Sequence, residues 1–312
     1  AASGGEMMRF ALALSVLGTL TTADAEALNA PQQPPAFAVA SRPAPALNHV
    51  YVVLDAATFA AVRDSAPLSR LLGRTDGGLP DYAPPQPGAD RVFFRGRETY
   101  LEFFAPENRF GEPVGKVGVA LGYDAPGDLD ALERIWRRTC PIGARRTPVR
   151  YRRVDPSVPW YDSVQCDETA GGDHLAVWAM AYRPEFHRWQ SGTSPTEAPQ
   201  TSRADILAPR SAEDQGRFDI NHLALQVTPP MFRLLIRQLE DAGLQRRETA
   251  DGTLLTGDGW TLLLRASEDP PRLLSLDLAT DGAPPDRLSL GSGVLIRMDR
   301  QTVAFRPTKG VD

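Results

Sequence analysis

Two stretches of this chain repeat one pattern at a distance. Leu47-Asn48-His49-Val50-Tyr51-Val52-Val53-Leu54 and Ile220-Asn221-His222-Leu223-Ala224-Leu225-Gln226-Val227 both run apolar residue, Asn, His, and then an apolar strand. The first continues into Asp55-Ala56-Ala57-Thr58-Phe59 and an Ala-rich helical stretch. The second continues into Thr228-Pro229-Pro230-Met231-Phe232, where Thr228 stands as a helix N-cap and proline fills the first turn. Met231, Leu234, Leu235, Leu239 and Ala242 then recur at helical spacing until Gly243 ends the helix. Each copy is a strand followed by a helix, and each strand opens with an imidazole.

The parallel extends downstream. After the first helix come the strand-like Arg91-Val92-Phe93-Phe94-Arg95 and, past a turn at Gly96, Tyr100-Leu101-Glu102-Phe103-Phe104. Arg95 and Glu98 read as charges at the edge of this hairpin. After the second helix come Leu244–Arg247, Gly252–Thr256 and, past Asp258-Gly259, Trp260–Arg265. Both units read βαβββ. A weaker copy starts at Lys116–Gly122, places Leu129, Leu132, Ile135 and Trp136 on one helical face, and ends in strands up to Leu175–Tyr182. A fourth, from Leu273 to Phe305, has strands but no room for a full helix. The expected class is α+β, with paired βαβββ modules forming two cupped sheets. Residues 47–187 make the first pair, the Ser/Thr/Pro-rich 188–216 a linker, and 217–307 an abbreviated second pair.

A chain of 312 residues has room for two such domains. Its net charge of −5 and the absence of a basic stripe interleaved with aromatics argue against a nucleic-acid partner. Arg145, Arg146, Arg150, Arg152 and Arg153 read as solvated arginines. Residues 8–25 carry a signal-peptide pattern: Arg9, an apolar run from Ala11 to Leu20 too short to span a bilayer, and the small-residue site Ala23-Asp24-Ala25. The expected location is therefore secreted or periplasmic, with no membrane partner after cleavage. Cys140 and Cys166 fall in one module, where an oxidising compartment would preserve a bond between them. Sequence leaves open whether they pair. It also leaves the oligomeric state open.

With two thiols only, chemistry has to come from oxygen and nitrogen. Period two puts His49, Tyr51 and Val53 on one face of the first strand, and Tyr100, Glu102 and Phe104 on one face of the fourth. A carboxylate among apolar residues is costly to bury without a partner, so Glu102 is expected to have one. An imidazole and a carboxylate facing into one cupped sheet suit a divalent ion such as Fe, Mn, Ni or Zn. They equally suit a satisfied His49–Glu102 pair without metal. Tyr51, Tyr100, Phe104 and Trp178 read as an aromatic cavity wall or as plain core, and His222 as a ligand-facing or a structural residue. No Gly-rich phosphate loop, Gly-x-Ser-x-Gly elbow or His-Glu-x-x-His helix occurs.

In this arrangement, over about residues 47–306, the chain resembles the vicinal oxygen chelate superfamily of glyoxalases, bleomycin-binding proteins and extradiol dioxygenases. Leu47–Asp55 and Tyr100–Pro106 carry the resemblance. It looks closest to a bacterial glyoxalase-like group that shares the Leu-Asn-His strand and the Phe-Phe ending. The resemblance implies metal ligands on the first and fourth strands of paired modules. His49 and Glu102 match two of those places, whereas the other two fall near Gly118 and Ala181. In the second pair His222 stands with Leu263 and Phe305 where carboxylates would be. His174 and His187 flank the Leu175–Tyr182 strand as unusual sources of a third ligand. Two functions follow as expectations: a metal-dependent enzyme acting on the vicinal oxygens of a small molecule, or a non-catalytic small-molecule binder with a degenerate metal site.

Overall fold

The repeat organises the whole fold. In the computed structural model, which describes residues 44–78, 82–166, 174–192 and 201–307, the first module is β1 (Ala46–Val53), α1 (Ala56–Asp64), α2 (Ala66–Leu72), β2 (Thr75–Asp76), β3 (Arg91–Arg95) and β4 (Tyr100–Phe104). The second is β5 (Val117–Gly122), α3 (Pro126–Thr139), β6 (Ala144–Tyr151), β7 (Val158–Cys166) and β8 (Leu175–Tyr182). The third is β9 (Phe218–Val227), α6 (Pro229–Ala242), β10 (Gln245–Thr249), β11 (Gly252–Thr256) and β12 (Thr261–Ala266), and the fourth is β13 (Arg272–Thr280), β14 (Arg287–Leu290), β15 (Gly293–Arg297) and β16 (Thr302–Pro307). Between the second and third, in the stretch that reads as a linker, lie the end of α4 (Pro184–Ser191), α5 (Arg203–Leu207) and a 3-10 turn at Ala212–Asp214. The signal-like segment 8–25 lies outside the described residues.

Modules one and two form an eight-stranded sheet in the order β2-β3-β4-β1-β5-β8-β7-β6. Modules three and four form another, β10-β11-β12-β9-β13-β16-β15-β14. In the first three modules a helix carries the chain back after the opening strand, so the three-stranded meander ends parallel to it: β1 with β4, β5 with β8, β9 with β12. The fourth module has no such helix. Its meander starts in the opposite sense, and β16 runs antiparallel to β13.

One face of each sheet builds the core. Val50, Val52 and Leu54, Leu101 and Phe103, and Val117, Val119 and Leu121 join helices α1, α2, α3 and α6 and the inward residues of β9, Phe218, Ile220, Leu223 and Leu225, in one apolar cluster. The two sheets touch directly where Phe103 meets Phe305 edge-on at 5.8 Å. Among the described residues no helix is long and apolar enough to cross a membrane.

Two local expectations need revision, and one open question is answered. Thr228 occupies the N-cap of α6 without a side-chain cap bond; Pro230 at the second helical position has no N–H to offer it. Arg146 is no solvated arginine: its guanidinium holds Asp130, Glu133 and Asp162, tying α3 to β6 and β7. Cys140 and Cys166 form a disulfide, with their Cα atoms 5.6 Å apart, between the end of α3 and the end of β7.

Candidate functional site

Strand alternation sends the remaining side chains of the first sheet to its outward face. His49, Tyr51 and Val53 of β1 stand beside Tyr100, Glu102 and Phe104 of β4, since the parallel register pairs His49 with Tyr100 and Tyr51 with Glu102. On the other side β5 contributes only small residues. A Cβ on Gly118 would lie 1.9 Å from the Tyr51 ring, so glycine there makes room for that tyrosine. Beyond it, Trp178, Met180 and Tyr182 of β8 complete the face. Phe186 of α4 and Ile206 and Leu207 of α5 pack onto it. The result is a cup walled by aromatic rings: Tyr51 stacks on Phe104 with centroids 5.0 Å apart, and Trp178 approaches both Tyr51 and His49.

His49 is buried and stacks on Tyr100, with centroids 4.2 Å apart. Its Nδ1 donates to Asn48 Oδ1 at 2.8 Å, which leaves the lone pair on Nε2. Burial without an acidic partner pulls the imidazole pKa down to about 3, so the ring is neutral at physiological pH. Glu102 does have the partner that its position demands, but that partner is not His49. Arg91 Nη1 donates to Glu102 Oε1 at 3.0 Å, and the guanidinium carbon lies 5.3 and 5.4 Å from the ring centroids of Phe93 and Phe110. Burial still wins over that attraction and raises the Glu102 carboxyl to about 7. The phenols of Tyr51, Tyr100 and Tyr161 are also pushed up, mainly by burial and further by the charge of Glu102.

These residues do not suit a divalent cation. Among the described residues no three His, Cys, Asp or Glu side chains gather as a ligand set, whereas a catalytic ion ordinarily needs three. At Glu102 the charge is already answered by a guanidinium, and a second cation beside it would be repelled. The expected fourth-strand place at Ala181 also shifts by one residue: Ala181 lies in the main core, and Met180 is the residue facing the cup. His174 is exposed at the start of β8, and His187 lies on α4 with its buried Nδ1 unpartnered. Neither joins His49 and Glu102.

The structure thus brings together His49, Glu102, Tyr51, Tyr100 and Phe104 and leaves His222 apart on the other sheet. There it holds the equivalent first-strand place opposite Thr261, with Nδ1 2.7 Å from the Thr261 hydroxyl. Sequence reasoning missed Arg91 and Arg95. Their spacing with Phe93 puts all three on the cup face of β3, and that alternation was the available signal. Arg95, expected at the hairpin edge, is buried, because Asp76 on β2 receives both its Nε and Nη2.

A family model described as a family of unknown function, DUF5829, matches residues 47–281. No curated protein matches the sequence. Among solved structures, a hypothetical protein from Staphylococcus aureus is 10% identical and aligns over 82% of this chain and 96% of its own, with a TM-score of 0.46. BphC, a halotolerant catechol dioxygenase, is 11% identical over 87% of this chain and 90% of its own, with a TM-score of 0.43. An extradiol ring-cleaving dioxygenase from B. fuscum is 14% identical over 75% of this chain and 57% of its own, with a TM-score of 0.39. No residue role is carried over from them.

Proposed function

We propose for this chain, which belongs to the DUF5829 family of unknown function, that the cup of its first sheet binds a small organic molecule without a metal ion. The observation that carries this reading is the Arg91–Glu102 pair inside an aromatic wall. A ring-lined face with a few buried polar groups has the lining usual for a small-molecule site, and a carboxyl displaced to about 7 is the kind of perturbation that such sites concentrate. The metal-dependent glyoxalase or dioxygenase reading has one observation in its favour, the neutral His49 with a free Nε2. Among the described residues it lacks a third ligand, and Arg91 already holds Glu102. The signal-like segment 8–25 and the Cys140–Cys166 disulfide support secretion or a periplasmic location.

The test is a thermal melt of chelator-treated protein against phenol, benzamide and benzoate, with metal content measured before treatment. A melting temperature that climbs with probe concentration is expected, by mass action on the native state. Stoichiometric Fe, Mn, Ni or Zn whose removal abolishes the probe response would overturn the metal-free reading.

A further inference from the structure

We infer that the ligand of this cup is a small aromatic carboxylate, and that its oxyanion is seated at the end of the cup formed by Arg95, Trp160 and Arg210. This rests on the metal-free binding reading above and adds the ligand's chemical class and orientation.

Among the described residues, two buried donors at that end have no acceptor. Arg95 is 5% exposed; its Nε and Nη2 serve Asp76, while Nη1 is buried without a partner. Trp160 Nε1 is likewise buried and unpartnered. Both border the same patch of rings. Trp160 packs on the cluster of Phe93, Tyr100 and Leu207, and Arg95 sits opposite Tyr100 in the β3–β4 ladder, on the same face as Phe93. A guanidinium and an indole N–H can only donate, so whatever satisfies them has to accept.

Charge narrows the choice. Arg95 and Arg210 lie over the ring of Tyr82, with guanidinium carbons 3.5 and 4.7 Å from its centroid. The Tyr82 hydroxyl donates to the Ala208 carbonyl, which fixes the ring beside both. Asp76 answers Arg95, but among the described residues no carboxylate forms an ion pair with Arg210. A site with two buried donors lacking partners and the positive charge of Arg210 at its exposed rim selects an anion over a neutral carbonyl. A carboxylate offers two oxygens to two donors, in the geometry that arginine prefers. The walls next to it, Phe93, Tyr100 and Phe186, are rings, which suits an aromatic body for the rest of the ligand.

Isothermal titration of the metal-free full chain with benzoate, benzamide and phenol tests the inference. Benzoate is expected to bind about tenfold or more tightly than benzamide, the ratio that one charge-assisted hydrogen bond supplies. Trp160→Phe keeps the ring and removes the donor; it should lose most of that preference while phenol binding stays unchanged. Arg210→Gln, at an exposed position, should also weaken benzoate selectively, and it decides the matter if Trp160→Phe does not fold. Equal affinity for benzoate and benzamide, or variants that leave the ratio intact, would overturn the carboxylate seat and leave the binding cup standing. If none of the three probes binds, the cup reading falls with it.

Discussion

His49 on β1 and Glu102 on β4 are both buried on one face of the sheet, and their opposite pKa shifts should cancel in stability over a defined pH range. Burial lowers the His49 pKa from 6.5 to about 3. The native state therefore stays neutral where the unfolded chain takes up a proton, and stability is lost as pH falls from 6.5 towards 3. Glu102 is raised from 4.5 to about 7. Here the native state keeps a proton that the unfolded chain releases, so stability is present below 4.5 and lost as pH rises towards 7. Each slope is about 1.4 kcal/mol per pH unit. Fully developed, the shifts correspond to roughly 5 kcal/mol for His49 and roughly 3 kcal/mol for Glu102. Between pH 4.5 and 6.5 the two slopes oppose each other, and their joint contribution is flat. Glu102→Gln removes one limb, so its stability relative to the parent should rise by roughly 3 kcal/mol across those two pH units. His49→Phe, which retains the stack on Tyr100, should show the opposite trend. Urea unfolding followed by tryptophan fluorescence at half-unit pH steps reads both; carboxylates that act on neither group, such as Asp55, cancel in the difference. A Glu102→Gln profile parallel to the parent would refute the assignment of a buried, near-neutral carboxyl.

Two further outcomes bear on the packing. Gly118→Ala would place a methyl 1.9 Å from Tyr51, which Phe104 and Trp178 hold in place; a loss of ~1–3 kcal/mol is expected from such overpacking, and adding Tyr51→Ala should recover part of it in a calorimetric double-mutant cycle. Replacing Cys140 and Cys166 by serine opens a loop of sequence separation 26 and should cost about 3.5 kcal/mol in equilibrium denaturation on the chain-entropy estimate, whereas an unchanged midpoint would show that the bridge constrains little.

The architecture was legible because it rests on local signals that repeat. Alternation in Leu47–Leu54 and Ile220–Val227 marks two equivalent first strands, and Gly243, in the left-handed region at φ 107°, ends α6 where the periodicity stops. The partners inside the cup were not legible. Arg91 reaches Glu102 across 11 positions and Arg95 reaches Asp76 across 19, and both pairs depend on strand register, which tertiary packing sets. Asn48 is the harder case. Neighbours on a strand point to opposite faces, so a side-chain bond from His49 to Asn48 is not expected; the register shift between Leu47 and His49 in the β1–β5 ladder lies where the two side chains meet.

The repeated Asn-His motif shows why a motif alone does not set chemistry. His49 and His222 occupy the same place in their modules, each at the first residue pair of a parallel first-to-fourth-strand ladder. What differs is the surroundings. Helices α4 and α5, which lie in the connection between the sheets, bring Phe186, Ile206 and Leu207 onto the first cup; α6 of the second sheet spends its apolar side on the shared core. The first imidazole is consequently buried among rings with no acidic residue acting on it. His222 is half-buried and faces Asp277 across the β9–β13 ladder, and that carboxylate opposes the lowering of its pKa by burial. One histidine is thus held neutral as part of a wall, and the other remains a titratable group on an outward sheet face. Burial by the connecting helices, together with the arginines of β3, is what distinguishes the first cup from the second and what the proposed binding reading rests on.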